Sequence, residues 1–148
     1  MILDFSSLKK YQGTVAMVDG CFDPLHEGHL LYFEKAAGFG LPVLCNIASD
    51  EYVKTKHIPF SSETSRVAMI DGLKSISFTH INTTSTAAVL AELQPRFYIK
   101  GKEWEGKLPK EQMDVCETYG ITAVFTDTKV DSSGKILDDY LRIKIKLF

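Results

Sequence analysis

The chain has 148 residues, of which 45% are hydrophobic and 24% charged, and a formal net charge of −2. A chain of this length buries roughly 70% of the surface its unfolded form exposes, enough for a sizeable core, and the expectation is one domain over residues 1–148. The near-balanced charge rules out a broad basic field, so nucleic acid and membrane are not expected partners, although a local lysine cluster can still hold a small anion.

Cys21, Cys45 and Cys116 form no CxxC pair, so neither a disulfide framework nor a zinc ribbon is expected. The N-terminal stretch MILDFSSLKKYQG lacks the basic-then-apolar order of a secretory signal, and no run of about 18 apolar residues occurs. A cytoplasmic location is the expectation. A β-branched apolar segment from Thr14 to Val18 predicts a strand, and Leu30, Leu31, Phe33, Ala36 and Ala37 predict a helix after an intervening loop.

The same alternation returns down the chain. Val43 to Ala48 reads as a second strand, and Ser61 to Leu73 as a polar-capped helix burying Val67, Ile70 and Leu73. Phe78 to Ile81 is the third strand, and Thr84 or Ser85 can cap a helix through Leu90 and Leu93 that Pro95 stops. Phe97 to Ile99 is the fourth strand. Pro109 suits the first turn of a helix ending at Tyr119-Gly120, Ile121 to Phe125 supplies a fifth strand, and Ser132-Ser133 can cap a last helix.

Strands alternating with helices at this spacing imply an α/β fold, Rossmann-like and three-layered, with a five-stranded parallel sheet and helices on both faces. Ligands of such sheets bind beyond the carboxyl ends of the strands. The loops that matter are therefore those after Val18, Ala48, Ile99 and Phe125.

The first of these loops holds His26 and His29 around Glu27-Gly28, where the first helix begins. A spacing of three puts both imidazoles on one helical face, and a helix start adds backbone N–H donors and the positive end of the macrodipole. Gly20 and Gly28 allow close approach of backbone to a ligand. This arrangement suits phosphoryl or nucleotidyl transfer, in which the site chiefly stabilises growing charge. No third His, Cys or carboxylate stands at ligand spacing, so a zinc site is not expected.

The run Gly20-Cys21-Phe22-Asp23-Pro24-Leu25-His26-Glu27-Gly28-His29 resembles the signature of the cytidylyltransferase-like nucleotidyltransferases. That family includes glycerol-3-phosphate cytidylyltransferase and the adenylyltransferase domain of ADP-heptose synthase. The resemblance continues through Ser49-Asp50-Glu51, Lys54, Lys56, Arg66, the stretch Lys100 to Gly106, and Ser132-Ser133, so it covers the chain from about Gly13 onward, the expected catalytic core. It implies that His26 and His29 contact the nucleotide phosphates and stabilise the transition state at the α-phosphorus. By the same likeness Lys54, Lys56 and Arg66 bring positive charge to the phosphates.

The resemblance also assigns nucleotide contacts to Gly20, Cys21, Phe22 and Asp23 in the first loop. It adds Lys100, Gly101, Glu103 and Trp104 after the fourth strand, and Ser132, Ser133 and Gly134 before the last helix. A magnesium ion accompanies the nucleoside triphosphate, and Asp23 either orders the loop or touches that complex. The implied reaction joins a nucleotidyl group from ATP or CTP to a small phosphorylated acceptor. A homodimer is implied, and a separate sugar kinase is the expected supplier of the acceptor.

Three positions bear on the branch of the family. Gly134 stands where many relatives have a third hydroxyl residue, and Asp127 near a place where glycerol-phosphate cytidylyltransferases carry an arginine. The Trp104 to Lys107 stretch looks more like that cytidylyltransferase branch, whereas Phe97 to Gly101 with Ser132-Ser133 favours the heptose-like, sugar-phosphate branch. The reading is a sugar-phosphate adenylyltransferase, with a glycerol-3-phosphate-type cytidylyltransferase as the alternative. A non-catalytic nucleotide-sensing module is the rival of another class.

Overall fold

Five short strands pair side by side in the computed structural model, which describes residues 1–127 and 135. They are β1 (Ala16–Gly20), β2 (Val43–Ala48), β3 (Phe78–Asn82), β4 (Phe97–Lys100) and β5 (Thr122–Phe125). All pairings are parallel, and the spatial order is β3-β2-β1-β4-β5. The sheet is the one the sequence predicts, with β1 beginning and ending two residues later than expected. The predicted helix after Ser132 lies outside the described residues.

Parallel strands need crossovers, and these are α1 (Glu27–Ala37), α2 (Asp50–Lys54) with α3 (Glu63–Asp71), α4 (Thr86–Leu93) and α5 (Lys110–Tyr119). Side-chain oxygens fix three helix starts: Ser49 accepts from Tyr52 N, Ser62 from Ser65 N, and Ser85 from Ala88 N. Helix α5 begins after Pro109 and stops at Gly120, whose φ of 68° is open to glycine without a Cβ penalty. Five-residue α2 carries no apolar period, and the sequence pattern predicts no element there.

Strands buried on both sides read as continuous apolar runs, and each face here has its own core. Tyr32, Phe33 and Ala36 of α1 and Val67 and Ile70 of α3 pack on Ala16, Val18, Cys45, Ile47 and Ile99. On the opposite face Val89, Leu90 and Leu93 of α4 and Cys116 of α5 cover Met17, Leu44 and Tyr98, with Leu8 from the Phe5–Tyr11 3-10 turn. Leu90 and Leu93 are fully buried, and each contributes about 2 kcal/mol by leaving water. Among the described residues no helix is long and apolar enough to cross a membrane.

The topology places the site. The chain builds outward from β1 to β2 and β3, then returns to the other side of β1 with β4 and β5. Connections on the two sides of that reversal leave in opposite directions, so a crevice opens beyond the carboxyl ends of β1 and β4.

Candidate active site

A cleft of about 1270 Å³ occupies that crevice. Gly20, Cys21, Phe22 and His29 border it from the loop after β1 and the start of α1. Ser49, Lys56 and the Asn82 to Thr86 segment border it beyond β2 and β3, and Lys100, Gly101, Glu103 and Trp104 beyond β4; Lys135 also borders it.

The two histidines form an interlocked cap on α1. His26 is the N-cap residue, and its Nδ1 accepts from Gly28 N at 3.1 Å. His29 Nδ1 accepts in return from His26 N at 3.2 Å. The reciprocal pattern is that of a capping box, with imidazoles in place of the usual hydroxyl and carboxylate. The rings stack with centroids 3.7 Å apart. A ring nitrogen that accepts from an amide holds no proton, so the neutral ring carries its proton on Nε2. Each imidazole is thereby fixed as an Nε2–H donor, and the structure puts His29 at the cleft border but not His26, whose Nε2 is sealed from solvent.

Phe22 holds this arrangement from below. Its φ of 53° puts a bulky residue in the left-handed region, and the turn sends the ring inward, edge-on to His29 at 4.9 Å and to Phe33 at 5.1 Å. A Cβ on Gly20 would sit 3.0 Å from Phe22 Cζ, so any larger residue there would push the ring by a few tenths of an ångström. Burial, and secondarily the neighbouring His26, push the His29 pKa down to about 3.

That shift has a consequence for stability. An unfolded histidine titrates near 6.5, so between about pH 6.5 and 3 the unfolded chain binds a proton that the folded one refuses. Stability should be full above about pH 6.5 and fall as the pH drops, by up to about 1.4 kcal/mol per unit. Urea midpoints between about pH 7.5 and 4 measure it. A His29→Asn variant should show a shallower slope, and an unchanged slope would contradict the assignment.

Asp23 and Arg66 serve the loops. Asp23 is fully buried and accepts from Phe60 N and Ser61 N at 2.8 Å each, from Ser61 Oγ at 3.2 Å, and pairs with His57 Nε2 at 3.1 Å. Burial alone would raise its pKa, but these donors outweigh burial and hold the carboxyl below the ordinary aspartate value. The side chain thus ties residues 57–61 to the histidine loop. Asp23 is not among the residues bordering the cleft, although the resemblance assigns it a nucleotide contact.

Arg66 is likewise buried, at 0% exposure. Its guanidinium donates to Cys21 O and Ala48 O at 2.7 Å, to Ser61 O at 3.2 Å and to Asp50 Oδ1 at 2.8 Å. Those acceptors belong to the loop after β1, to the end of β2 and the start of α2, and to the entry of α3. The arginine joins these segments from behind the cleft, where the resemblance expects a phosphate contact.

Beyond β4, Lys100 Nζ lies 2.6 Å from Asp19 Oδ1 and 4.4 Å from the Trp104 ring centroid. Tyr98 donates to Asp19 Oδ2 at 2.7 Å. Trp104, 38% exposed, forms one wall of the cleft, and Glu103 folds back over Gly101. Lys56 reaches the cleft with its ammonium 5.0 Å from the Tyr52 ring centroid. Lys54 ends α2, exposed and away from the cleft border. Asp127 is a surface residue paired with Lys35 at 2.6 Å. Ser132, Ser133 and Gly134 lie outside the described residues.

Sequence reasoning missed Asp19, Asp50, His57 and Asn46. Signals existed for two of them: Asn46 is an amide inside the apolar run Val43 to Ala48, and Asp19 and Lys100 are opposite charges at the carboxyl ends of strands that pair side by side.

Comparison with known proteins adds an independent line. A family profile described as cytidylyltransferase-like matches residues 17–137. The chain is 33% identical over 97 residues to the bifunctional protein HldE of Campylobacter curvus, covering 63% of this chain and 21% of that protein. It is 32% identical over 137 residues to HldE of Geobacter metallireducens, covering 86% of this chain and 27% of that protein. The chain thus spans about a quarter of the length of these relatives. Among solved structures, a lipopolysaccharide core biosynthesis protein from Thermoplasma volcanium superposes with a TM-score of 0.66 at 23% identity, over 80% of this chain and 98% of that one. Pantothenate synthetase from Thermus thermophilus gives 0.55 at 14% identity, over 84% and 60%. The last two are likenesses of fold.

Proposed function

The chain belongs to the cytidylyltransferase-like family, and from that premise we propose that it transfers a nucleotidyl group from a nucleoside triphosphate to a phosphorylated sugar or alcohol, releasing pyrophosphate. The observation that carries the reading is the pair of stacked imidazoles at a helix start, each with Nδ1 held by a backbone amide, of which His29 borders the cleft. A phosphate oxygen of the acceptor attacks the α-phosphorus in line. The new P–O bond forms as the bond to the bridging oxygen breaks, and the electron pair leaves with pyrophosphate. The His29 Nε2–H donor, held in place by the stacked His26 ring, the positive end of α1 and Lys56 stabilise the charge that grows on the phosphates. Trp104 and the Gly101 turn flank the nucleoside.

Magnesium bound with the triphosphate would supply neutralisation of phosphate charge. Among the described residues no group of three or more His, Cys, Asp or Glu side chains could hold a metal. The cleft carboxylates Glu51 and Glu103 suit an ion held mainly by phosphates and water, as magnesium usually is.

Likeness to HldE proteins favours a sugar-phosphate acceptor with ATP as donor, an adenylyl transfer of the ADP-heptose type. The Trp104-Glu105-Gly106-Lys107 stretch supports CTP and a glycerol-3-phosphate-type acceptor as the second reading. A thermal-shift screen with ATP, CTP, GTP and UTP, each with magnesium, separates them. A nucleotide at 100 times its dissociation constant stabilises by about 2.7 kcal/mol, a rise of several degrees. A selective rise with ATP is expected, a selective rise with CTP gives the second reading, and no rise with any of the four contradicts both.

A further inference from the structure

One ion pair of the cleft has no part in the transfer chemistry. Asp19 of β1 and Lys100 of β4 stand at the carboxyl ends of neighbouring strands, with Lys100 Nζ 2.6 Å from Asp19 Oδ1. Their side chains are only 9% and 10% exposed, and both residues border the cleft. Tyr98 donates to the other carboxylate oxygen at 2.7 Å, so the carboxylate is held on both sides. A pair this buried adds little to stability, because desolvation offsets most of its attraction and apolar side chains of similar volume often serve the fold as well. Its use lies in what the ammonium touches.

Lys100 Nζ lies 4.4 Å from the Trp104 ring centroid and 5.7 Å from that of Tyr98. Both distances fall inside the roughly 6 Å range in which a cation is drawn to an aromatic ring, most strongly to indole and more so where water is excluded. Trp104 belongs to the 3-10 turn Lys102–Trp104, none of whose residues is buried, and is itself 38% exposed. Lys100, in contrast, is fixed by its strand and by Asp19. Contacts thus run from Tyr98 to Asp19, to Lys100, to Trp104, out of the sheet and into the cleft wall. An ammonium shared between a carboxylate and two rings is already committed, whereas Lys56 brings its charge to the cleft from the other side of β1.

We propose that Lys100, held by Asp19, is a positioning residue that fixes Trp104 as the platform for the nucleobase, and that it is not a cation for the phosphates. A fixed indole at a cleft border suits a base, because every base offers a π face to an aromatic side chain. The lysine acts on the nucleotide through Trp104 rather than by touching it. The inference rests on the nucleotide reading of the cleft and adds what holds the nucleobase wall in place.

Trp104 is the one tryptophan of the chain, so its fluorescence reports on this wall alone. ATP and CTP are titrated with magnesium, and tripolyphosphate, which carries no base, is titrated by calorimetry as the control. Lys100→Met keeps the length without the charge, and the double variant Asp19→Asn with Lys100→Met leaves no buried charge unpaired. Wild-type emission should change on nucleotide binding. In the double variant the indole of the free protein should become more accessible to acrylamide, nucleotide affinity should fall about tenfold, and tripolyphosphate affinity should stay within about twofold. KM for the triphosphate should rise by the same factor with kcat little changed, the pattern of lost uniform binding. Lys100→Arg should recover most of the affinity, since a guanidinium both pairs with a carboxylate and stacks on indole.

Equal weakening of tripolyphosphate and nucleotide would make Lys100 a phosphate cation and overturn the proposal. Unchanged emission and affinity in the folded variants would overturn it too, as would a double variant that fails to fold, because the pair would then serve the fold. The titrations need no turnover, so a failure of the transfer is read apart from them. Nucleotide-dependent emission that is present in wild type, lost in the variants and accompanied by no pyrophosphate release leaves the Trp104 platform standing without the transfer. No change of wild-type emission with either nucleotide overturns the platform, whatever pyrophosphate release shows.

Discussion

Replacing His29 by alanine should lower turnover by on the order of 100-fold or more, the loss typical of removing one donor to developing charge, while nucleotide binding changes far less. The reason is geometric. His29 Nδ1 is committed to His26 N at 3.2 Å, so the proton sits on Nε2, and with a pKa of about 3 the ring stays a neutral donor throughout the working range. Such a donor is held in place before the reaction and gains strength as phosphate charge grows, which lowers kcat more than it raises KM. His26→Asn sharpens the point. Asparagine is a good N-cap, so α1 should keep its start and the protein its stability, while the ring that stacks on His29 at 3.7 Å and holds it in place is lost and turnover falls by a similar factor. Single-turnover kinetics and thermal melts on the two variants measure this, and near-normal turnover in either folded variant would contradict the mechanism.

Replacing Arg66 by alanine should cost about 3 kcal/mol or more of stability, near the top of the range for single changes. Four acceptors converge on its guanidinium: Cys21 O, Ala48 O, Ser61 O and Asp50 Oδ1. Truncation leaves buried carbonyls unpaired and separates the loop after β1 and the end of β2 from the start of α3. At this size the loss corresponds to a fall in Tm of about 10 °C. Lysine should recover only part, because one ammonium cannot span acceptors arranged for a planar fork. Urea and thermal unfolding of Arg66→Ala and Arg66→Lys measure it. Wild-type stability with lost activity would instead mean that the guanidinium turns into the cleft to meet phosphate.

The strand and helix alternation was legible because each strand is a short apolar run and each helix has a polar cap or a breaker. Ser62, Ser85, Pro109 and Gly120 mark boundaries within a residue or two. Helix α2 was not legible, since five residues from Asp50 to Lys54 are too few to show a period. At the site, His26 and His29 could be placed at a helix start from their spacing, but their mutual capping could not, because imidazole is an uncommon cap. Arg66 and Asp23 read as ligand contacts for one physical reason. Their partners are mostly main-chain carbonyls and amides, which leave no mark in a sequence, so a charged residue that anchors a loop looks like one that meets a ligand. Asn46 did leave a mark, as the one amide inside the apolar run Val43 to Ala48, and only the structure shows that it borders the cleft.

The most direct test of nucleotidyl transfer follows the α-phosphorus. Nucleoside triphosphate labelled at that position is incubated with the protein, magnesium and a phosphorylated sugar or alcohol, and the products are separated. Label is expected in a nucleoside diphosphate-linked product, with one pyrophosphate released for each label transferred. Label remaining wholly in triphosphate, with nucleotide bound but no pyrophosphate formed with any phosphorylated sugar or alcohol, would contradict the transfer and leave a nucleotide-sensing module in its place.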